Sequence, residues 1–202
     1  MTEQLILVRH GETLHNVAGI AQGWADSDLS DRGHEQVRRL GERLRRNNCD
    51  AIFASPLGRA LTTATAIRDI LGLEITVLED LREMSYGSWE SRSFLDIRRD
   101  EADAYTRWIT DEEAKSPNGE SHADVRRRMS RAFDAVRGAK RPLLVTHGTA
   151  IRIGATALLD VPVLTAHKFA QDNAAINVFF WRVDRWVLKT WNDTSHCTEA
   201  SR

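Results

Sequence analysis

The feature that most constrains this chain is a short sequence pattern that occurs twice. Residues 5–8 are apolar and precede the sequence Arg-His-Gly at residues 9–11, and residues 143–145 are apolar and precede Thr-His-Gly at residues 146–148. A short apolar run that ends in polar residues and glycine predicts a buried strand of a parallel sheet. Because ligands bind at the carboxyl ends of such strands, we expect both histidines at one sheet edge, in one site.

Apolar runs alternate with amphipathic patterns along most of the chain. Further strands are predicted at residues 51–54 and 75–78, and helices at residues 31–47, 59–71, 121–137 and 150–159. Two late strand-like runs, 176–183 and 186–191, lie close enough to form a tight hairpin with an antiparallel edge. This alternation is typical of a sheet covered by helices on both faces. The predicted fold class is α/β, a three-layer α/β/α sandwich with a mostly parallel central sheet and one antiparallel edge strand.

One segment departs from this alternation. The length of 202 residues fits a single domain, residues 1–202. Within it, residues 81–120 show no clean alternation, although residues 94–109 predict one helix or two. Long inserted segments in compact α/β domains tend to cover a functional site, so residues 81–120 are predicted to be a substrate cover.

Composition excludes several classes of partner. The net charge of −1 gives no overall attraction to nucleic acid or to an anionic membrane. No apolar run is long enough to span a membrane and the start does not resemble a signal peptide, so we expect a cytoplasmic protein. The two cysteines predict neither a disulfide framework nor a zinc site. The tryptophan-rich hairpin offers a surface for a homodimer, and the arginines at positions 126, 127, 128 and 131 are interpreted as a solvated helix face.

The residues at the predicted strand ends favour chemistry on an anion. Arg9 and Arg59 join His10 and His147 there. Guanidinium groups match tetrahedral oxyanions and keep their charge, and a neutral histidine among positive charges is a competent nucleophile toward phosphorus. Phosphoryl transfer also needs a proton for the leaving oxygen, and Glu83, at the start of the cover, is the best-placed acid. A protonated Glu83 predicts an acidic pH optimum.

The glycines after the two histidines, Gly11 and Gly148, let the backbone approach a ligand closely. The apolar strand ends contain no carboxylate, so a metal cage is not predicted. Gln22 and Gly23 are further candidates for binding substrate or phosphate, with a hydrogen bond to the loop backbone as the alternative for Gln22.

Several motifs resemble the signatures of the histidine phosphatase superfamily, whose best-known branch is the phosphoglycerate mutases. They occur in order over most of the chain, at residues 9–13, Asn16, residues 23–26 and 29–30, Gly33, Gln36, residues 55–60, residues 63–64 and residues 146–148. The resemblance implies that His10 accepts the phosphoryl group as a phosphohistidine, that Glu83 donates the proton, and that no metal or other cofactor is needed. The phosphate pocket that it implies consists of Arg9, Arg59, His147 and Asn16.

The segment between Glu83 and His147 favours the short phosphatase branch. Mutases that use bisphosphoglycerate have a longer segment there and a Glu-Arg-x-x-Tyr-Gly motif, whereas here Met84 follows Glu83. A mutase must keep water from the phosphohistidine, and a phosphatase must admit it. The predicted activity is hydrolysis of small phosphorylated metabolites, with a cofactor-dependent phosphoglycerate mutase or a non-catalytic phospho-ligand binder as alternatives.

The remaining aromatic residues are given structural interpretations. Tyr86, Trp89 and Trp108 are interpreted as the core of the cover. The other histidines are interpreted as surface or packing residues: His15, His34, His122, His167 and His196. For His122, an approach to the site through the cover is left open as an alternative.

Overall fold

The computed structural model describes residues 2–198 and contains a six-stranded sheet. Its strands are β1 (Gln4–Arg9), β2 (Ala51–Ala54), β3 (Ile75–Val77), β4 (Pro142–Thr146), β5 (Ile176–Arg182) and β6 (Arg185–Asp193), in the spatial order β3-β2-β4-β1-β5-β6. Strands β1 to β4 are parallel to one another, β5 is antiparallel to β1, and β6 is antiparallel to β5. The predicted fold class is confirmed, and both strands of the terminal hairpin make up its antiparallel edge.

The helices begin and end close to their predicted positions, except the first and shortest, which was not predicted. They are α1 (Leu14–Val17), α2 (Asp31–Leu44), α3 (Gly58–Leu71), α4 (Phe94–Asp100), α5 (Ala102–Thr110), α6 (His122–Ala135) and α7 (Gly148–Leu158). Gly72, with φ of 69°, ends α3 in the left-handed conformation that glycine adopts without strain. Helix α7 starts at Gly148, two residues earlier than predicted, so His147 is its N-terminal capping position.

Alternate residues of β1 face opposite sides of the sheet, as the two-residue period of a strand requires. Leu5 and Leu7 pack in a core with α6 and α7, whereas Ile6 and Val8 pack in a second core with α2 and α3. Full burial of each such side chain contributes about 1.5–3 kcal/mol. The two cores hold helices on both faces of the sheet. The carboxyl ends of the parallel strands lie outside these cores, at the edge of the sheet.

The segment at residues 81–120 packs on the α6 and α7 side of the sheet. It contains α4 and α5, so the alternative with two helices is the one observed. Trp89 is fully buried and meets Trp108 edge to face, with ring centroids 5.7 Å apart. Among the helices of residues 2–198, none combines the length and the apolar character needed to cross a membrane.

The interpretation of four arginines on α6 as a solvated face is wrong for Arg128. Its side chain is buried because position 128 lies on the same helix face as Val125 and Met129, which pack in the core. The guanidinium group forms an ion pair with Glu120 and donates hydrogen bonds at 2.6–3.0 Å to three backbone carbonyl oxygens, those of Asp80, Arg82 and Glu83.

Replacement of Arg128 with methionine is expected to lower the free energy of unfolding by about 3 kcal/mol, because it leaves the Glu120 carboxylate and three carbonyls without their donor. Urea unfolding measures this loss. The matched control is Arg131→Met on the same helix, whose side chain is 63% exposed, and which should change stability by less than about 0.5 kcal/mol. Equal effects of the two substitutions would contradict the structural role of Arg128.

Candidate active site

A cavity of about 390 Å³ opens at the edge of the sheet where β1, β2 and β4 end. Nearly all the residues singled out in the sequence line it, although they come from distant parts of the chain: Arg9, His10, Asn16, Gln22, Gly23, Arg59, Glu83 and Gly148. Two others do not line it. His147 is fully buried beside His10, with ring centroids 5.1 Å apart, and Gly11 packs against α2, where a Cβ atom would lie 2.6 Å from the Val37 side chain.

The pairing of two strands explains how the histidines meet. Strand β1 pairs with β4 in parallel register, with Arg9 opposite Thr146. His10 and His147 each follow directly after these residues, and the His10 amide donates a hydrogen bond to the Thr146 carbonyl at 3.0 Å. The repeated sequence pattern therefore becomes a pair of neighbouring imidazoles.

His10 is held in one tautomer. Its Nδ1 lies 2.7 Å from the carbonyl oxygen of Gly11, and since a carbonyl only accepts, Nδ1 carries the proton and Nε2 carries the lone pair. Burial lowers the pKa of His10 well below its ordinary value, and the charges of Arg59 and Arg9 lower this pKa further. The ring is therefore neutral near pH 7, with Nε2 available as a nucleophile.

The loop at residues 23–26 holds the guanidinium group of Arg59. Its nitrogens donate to the carbonyls of Gly23 at 2.7 Å and Ala25 at 2.9 Å, and Nη1 lies 3.1 Å from a carboxylate oxygen of Asp26. Its Nε is buried with no hydrogen-bond partner among residues 2–198. An Nε–H that is fixed in position and unpaired suits an oxygen of a bound anion.

Arg9 offers a similar free donor on the other side of His10. Its Nη1 donates to the backbone carbonyl of Gln171, and its buried Nε is unpaired within the part of the chain that the structure describes. A Cβ atom at Gly148 would lie only 3.3 Å from Cζ of Arg9, so Gly148 lets α7 pack tightly against this guanidinium group. The cavity therefore has two unpaired guanidinium donors near a neutral histidine.

His147 is held through Ser55, the residue that follows β2. Its Nε2 lies 2.7 Å from Oγ of Ser55. Burial lowers the pKa of His147 well below its usual value, and the positive charge of Arg59 lowers this pKa further. His147 is therefore a second neutral ring beside the nucleophile candidate.

Glu83 lies at the N-terminus of α7. Its Oε1 accepts hydrogen bonds from the amides of Met84 at 2.8 Å and Ala150 at 3.0 Å, and its Oε2 accepts one from the amide of Thr149 at 3.1 Å. These three backbone amides fix the position of the Glu83 carboxyl group at the wall of the cavity. Because α7 starts directly after His147, the same helix orients both His147 and Glu83.

Asn16 and Gly23 shape the other side of the cavity. The side-chain oxygen of Asn16 accepts from the amide of Thr13 at 3.1 Å and from Nδ2 of Asn173 at 2.9 Å, which leaves its amide nitrogen for a ligand. Gly23 has φ of 54°, and a Cβ there would lie 2.2 Å from a carboxylate oxygen of Glu90. Gln22 lines the cavity, and its side-chain oxygen is buried and unpaired within residues 2–198. This oxygen therefore does not accept the hydrogen bond from loop backbone that was the alternative.

Several cavity residues were not assigned to the site from the sequence. His122 is a buried residue of the cavity wall, and His167, although exposed, also lines the cavity. Tyr86 and Trp108 are buried core residues as predicted, and they line the cavity as well. Arg152 also lines the cavity; its position on the first turns of α7 after His147 is the sequence signal that could have identified it.

No group of three or more histidine, cysteine, aspartate or glutamate side chains within residues 2–198 has the geometry to hold a metal ion. The charged groups of the cavity wall are three guanidinium groups, those of Arg9, Arg59 and Arg152, and the carboxylate of Glu83. This excess of positive charge favours an anionic ligand.

The buried histidines predict how stability depends on pH. Because the pKa values of His10 and His147 are lowered in the folded state, only the unfolded chain gains these protons as the pH falls below about 6.5. The stability that the neutral histidines provide is fully present above about pH 6.5. Below it, the free energy of unfolding falls by up to about 1.4 kcal/mol per pH unit for each histidine. Urea unfolding in phosphate-free buffer from pH 7.5 to 5 measures this loss.

The control variants separate buried from exposed histidines. His147→Gln is expected to reduce the slope of stability against pH, whereas His34→Gln, at an exposed position, should leave it unchanged. A wild-type stability that is flat over this pH range would contradict the neutral state of the buried histidines.

Comparisons with known proteins agree with this geometry. The family model of the histidine phosphatase superfamily (branch 1) matches residues 5–194. The protein named probable phosphoglycerate mutase GpmB from Erwinia tasmaniensis is 33% identical over 208 residues, which cover 98% of this chain and 96% of that protein.

Solved structures are similar over nearly the whole chain. A mycobacterial glucosyl-3-phosphoglycerate phosphatase in complex with VO3 has a TM-score of 0.87 and 30% identity, covering 95% of this chain and 99% of that one. A putative alpha-ribazole-5'-P phosphatase from Escherichia coli has a TM-score of 0.84 and 27% identity, covering 96% of this chain and 98% of that one. The chain therefore belongs to the histidine phosphatase superfamily.

Proposed function

We propose that this protein hydrolyses phosphomonoesters of small metabolites through a phosphohistidine formed on Nε2 of His10. The observation that carries the proposal is the hydrogen bond from Nδ1 of His10 to the Gly11 carbonyl, because it leaves Nε2 as the lone-pair nitrogen. The unpaired Nε groups of Arg9 and Arg59 support the same proposal, since they suit the oxygens of a phosphoryl group. The phosphatases among the similar structures support hydrolysis as the reaction.

In the first step of the proposed reaction, Nε2 of His10 forms a bond to phosphorus while the bond from phosphorus to the ester oxygen breaks. Glu83 in its protonated form gives its proton to that oxygen, and the alcohol leaves. In the second step, the oxygen of a water molecule forms a bond to phosphorus while the bond from phosphorus to Nε2 of His10 breaks, Glu83 takes up a proton from that water, and inorganic phosphate leaves. Arg9 and Arg59 balance the charge of the phosphoryl oxygens, and Asn16 orients them through its free amide.

We further propose that residues 81–120 act as the substrate cover. This segment contributes Glu83, Tyr86, Phe94, Tyr105 and Trp108 to the cavity wall. A mainly aromatic wall beside a phosphate site selects the organic part of a substrate and limits the access of water. Variation of the aromatic residues of this segment would then change specificity and leave the chemistry at His10 and Glu83 intact.

The test is phosphate release from 4-nitrophenyl phosphate and from a panel of sugar phosphates, phosphoglycerates, nucleotides and α-ribazole phosphate. Protein quenched with alkaline detergent in a single turnover should carry a phosphohistidine, and a chelator should leave the rate unchanged. Activity that a chelator removes and a divalent ion restores would support a metal-dependent hydrolase instead. Tight phosphate binding without any phosphoprotein would support a non-catalytic binder.

A phosphoglycerate mutase is the second candidate, and the name of the Erwinia tasmaniensis relative favours it. This activity predicts conversion of 3-phosphoglycerate to 2-phosphoglycerate that 2,3-bisphosphoglycerate stimulates. Phosphate release from the panel without any isomerisation under these conditions would dismiss the mutase.

A further inference from the structure

A second set of cavity residues comes from helices and a turn, and not from the strand ends. We call it the histidine subsite: Trp108 on α5, His122 on α6, Arg152 on α7 and His167 in the 3-10 turn Val163–Lys168. The rings of Trp108 and His122 are 4.8 Å apart, and so are those of His122 and His167. Four separate elements therefore bring polar side chains to one part of the cavity.

The subsite contains an unusual number of unpaired polar atoms. Both ring nitrogens of His122, Nε1 of Trp108 and Nε of Arg152 are buried with no hydrogen-bond partner among the described residues, 2–198. Buried polar groups are normally paired, because an unpaired one keeps the full cost of losing its water. Donors left unpaired on three neighbouring side chains point to a ligand that supplies acceptors.

The histidine subsite contains one charged group, the guanidinium group of Arg152. Arg152 donates a hydrogen bond to Oγ of Thr149 at 3.0 Å. The pKa of His122 is lowered to about 4, mainly by burial and to a smaller extent by the neighbouring His167 and Arg152. Burial and Arg152 also lower the pKa of His167. Near pH 7, one positive charge is therefore surrounded by neutral donors.

We infer that the histidine subsite binds a carboxylate of the substrate, so that the metabolite hydrolysed is a phosphorylated carboxylic acid. A planar carboxylate matches the guanidinium fork of Arg152, with its second oxygen accepting from the neutral donors of Trp108 and His122. A second phosphate dianion would need more than the one cation present. The inference rests on the proposed phosphatase function.

The cavity has room for both groups. A volume of about 390 Å³ exceeds what a phosphate alone requires and lies in the range of small-molecule sites. Phe94 and Tyr105 line the same cavity and provide apolar contact for the carbon skeleton of the substrate.

Two matched substrate pairs test the inference without any mutation. Phosphate release is measured for 3-phosphoglycerate against glycerol 3-phosphate, and for 4-carboxyphenyl phosphate against phenyl phosphate. These pairs place the carboxylate at a short and at a long distance from phosphorus. We expect kcat/KM to be at least about tenfold higher for the carboxylate in one pair or both. Equal values in both pairs would overturn the inference.

Arg152→Leu tests the residue itself, and Arg98→Leu, an exposed arginine of the cover, is the matched control. The first substitution is expected to lower kcat/KM much more for the carboxylate substrate than for its neutral partner and so to remove the preference, while the control retains the preference. An equal loss on both members of a pair would instead assign Arg152 to the phosphate and overturn the inference. Thermal unfolding of each variant checks that it folds.

Binding of unreactive ligands separates this inference from the proposed reaction. Calorimetry compares 3-phosphonopropionate with propylphosphonate, which differ in the carboxylate and cannot be hydrolysed. Tighter binding of the carboxylate compound without turnover of any phosphate ester would retain the subsite and reject the phosphatase. Turnover of the esters with no preference for a carboxylate in binding or in kcat/KM would retain the phosphatase and reject the subsite.

Discussion

Replacement of His10 with alanine is expected to lower kcat for 4-nitrophenyl phosphate by at least about 10⁴-fold, because no covalent intermediate can form without Nε2. His147 cannot substitute, since its Nε2 is engaged with Ser55 and its ring lies buried behind His10. Steady-state kinetics and single-turnover trapping measure the effect, and no phosphoprotein should be recovered.

The control for this experiment is His34→Ala, which removes an exposed histidine and should retain wild-type kinetics. Near-ultraviolet circular dichroism checks that the His10 variant keeps its tertiary packing. A kcat within tenfold of wild type, together with a trapped phosphoprotein, would place the nucleophile elsewhere in the cavity.

Replacement of Glu83 with glutamine is expected to slow hydrolysis to an extent set by the leaving group. An alkoxide leaves poorly without a proton, so glycerol 3-phosphate should lose about 10²–10³-fold in kcat. The 4-nitrophenolate ion leaves readily, so 4-nitrophenyl phosphate should lose less than about tenfold. The comparison of the two substrates isolates proton donation, because both need the same phosphate pocket.

Glutamine keeps the shape of Glu83, and its one oxygen can accept from the backbone amides of Met84 and Ala150 as Oε1 of Glu83 does, while the bond from the Thr149 amide to Oε2 is lost. Glu79→Gln, at an exposed position, is the matched control and should affect neither substrate. An equal loss on both substrates would show that Glu83 orients the N-terminus of α7 and does not supply the proton.

The centre of the site could be predicted from sequence because its signals are local. Each histidine follows an apolar strand directly, and parallel pairing of β1 with β4 in a register that aligns Arg9 with Thr146 then brings the rings together. The fold class could be predicted for the same reason, since strand and helix periods are properties of short segments.

The roles of other residues could not be predicted, because they depend on which elements pack together. The sequence indicated that Arg128 is one of four solvated arginines. In the structure, α6 packs over the backbone of residues 80–83, and Arg128 is buried there. Asn173 lies far from His10 in sequence, yet its amide donates to the His10 carbonyl at 3.3 Å and to the side-chain oxygen of Asn16. A single sequence contains no local sign of such contacts.

The sequence by itself determined the alternation of strands and helices and the two strand ends that carry His10 and His147. It also determined the positive charge of Arg9 and Arg59, since these follow from residue type and period. Only the tertiary structure decided the tautomer of His10, the position of Glu83 at the start of α7, and the presence of His122 and Arg152 in the wall of one cavity. The physical reason is that hydrogen bonds and burial at these positions join segments remote in sequence, and their geometry exists only after the layers have packed.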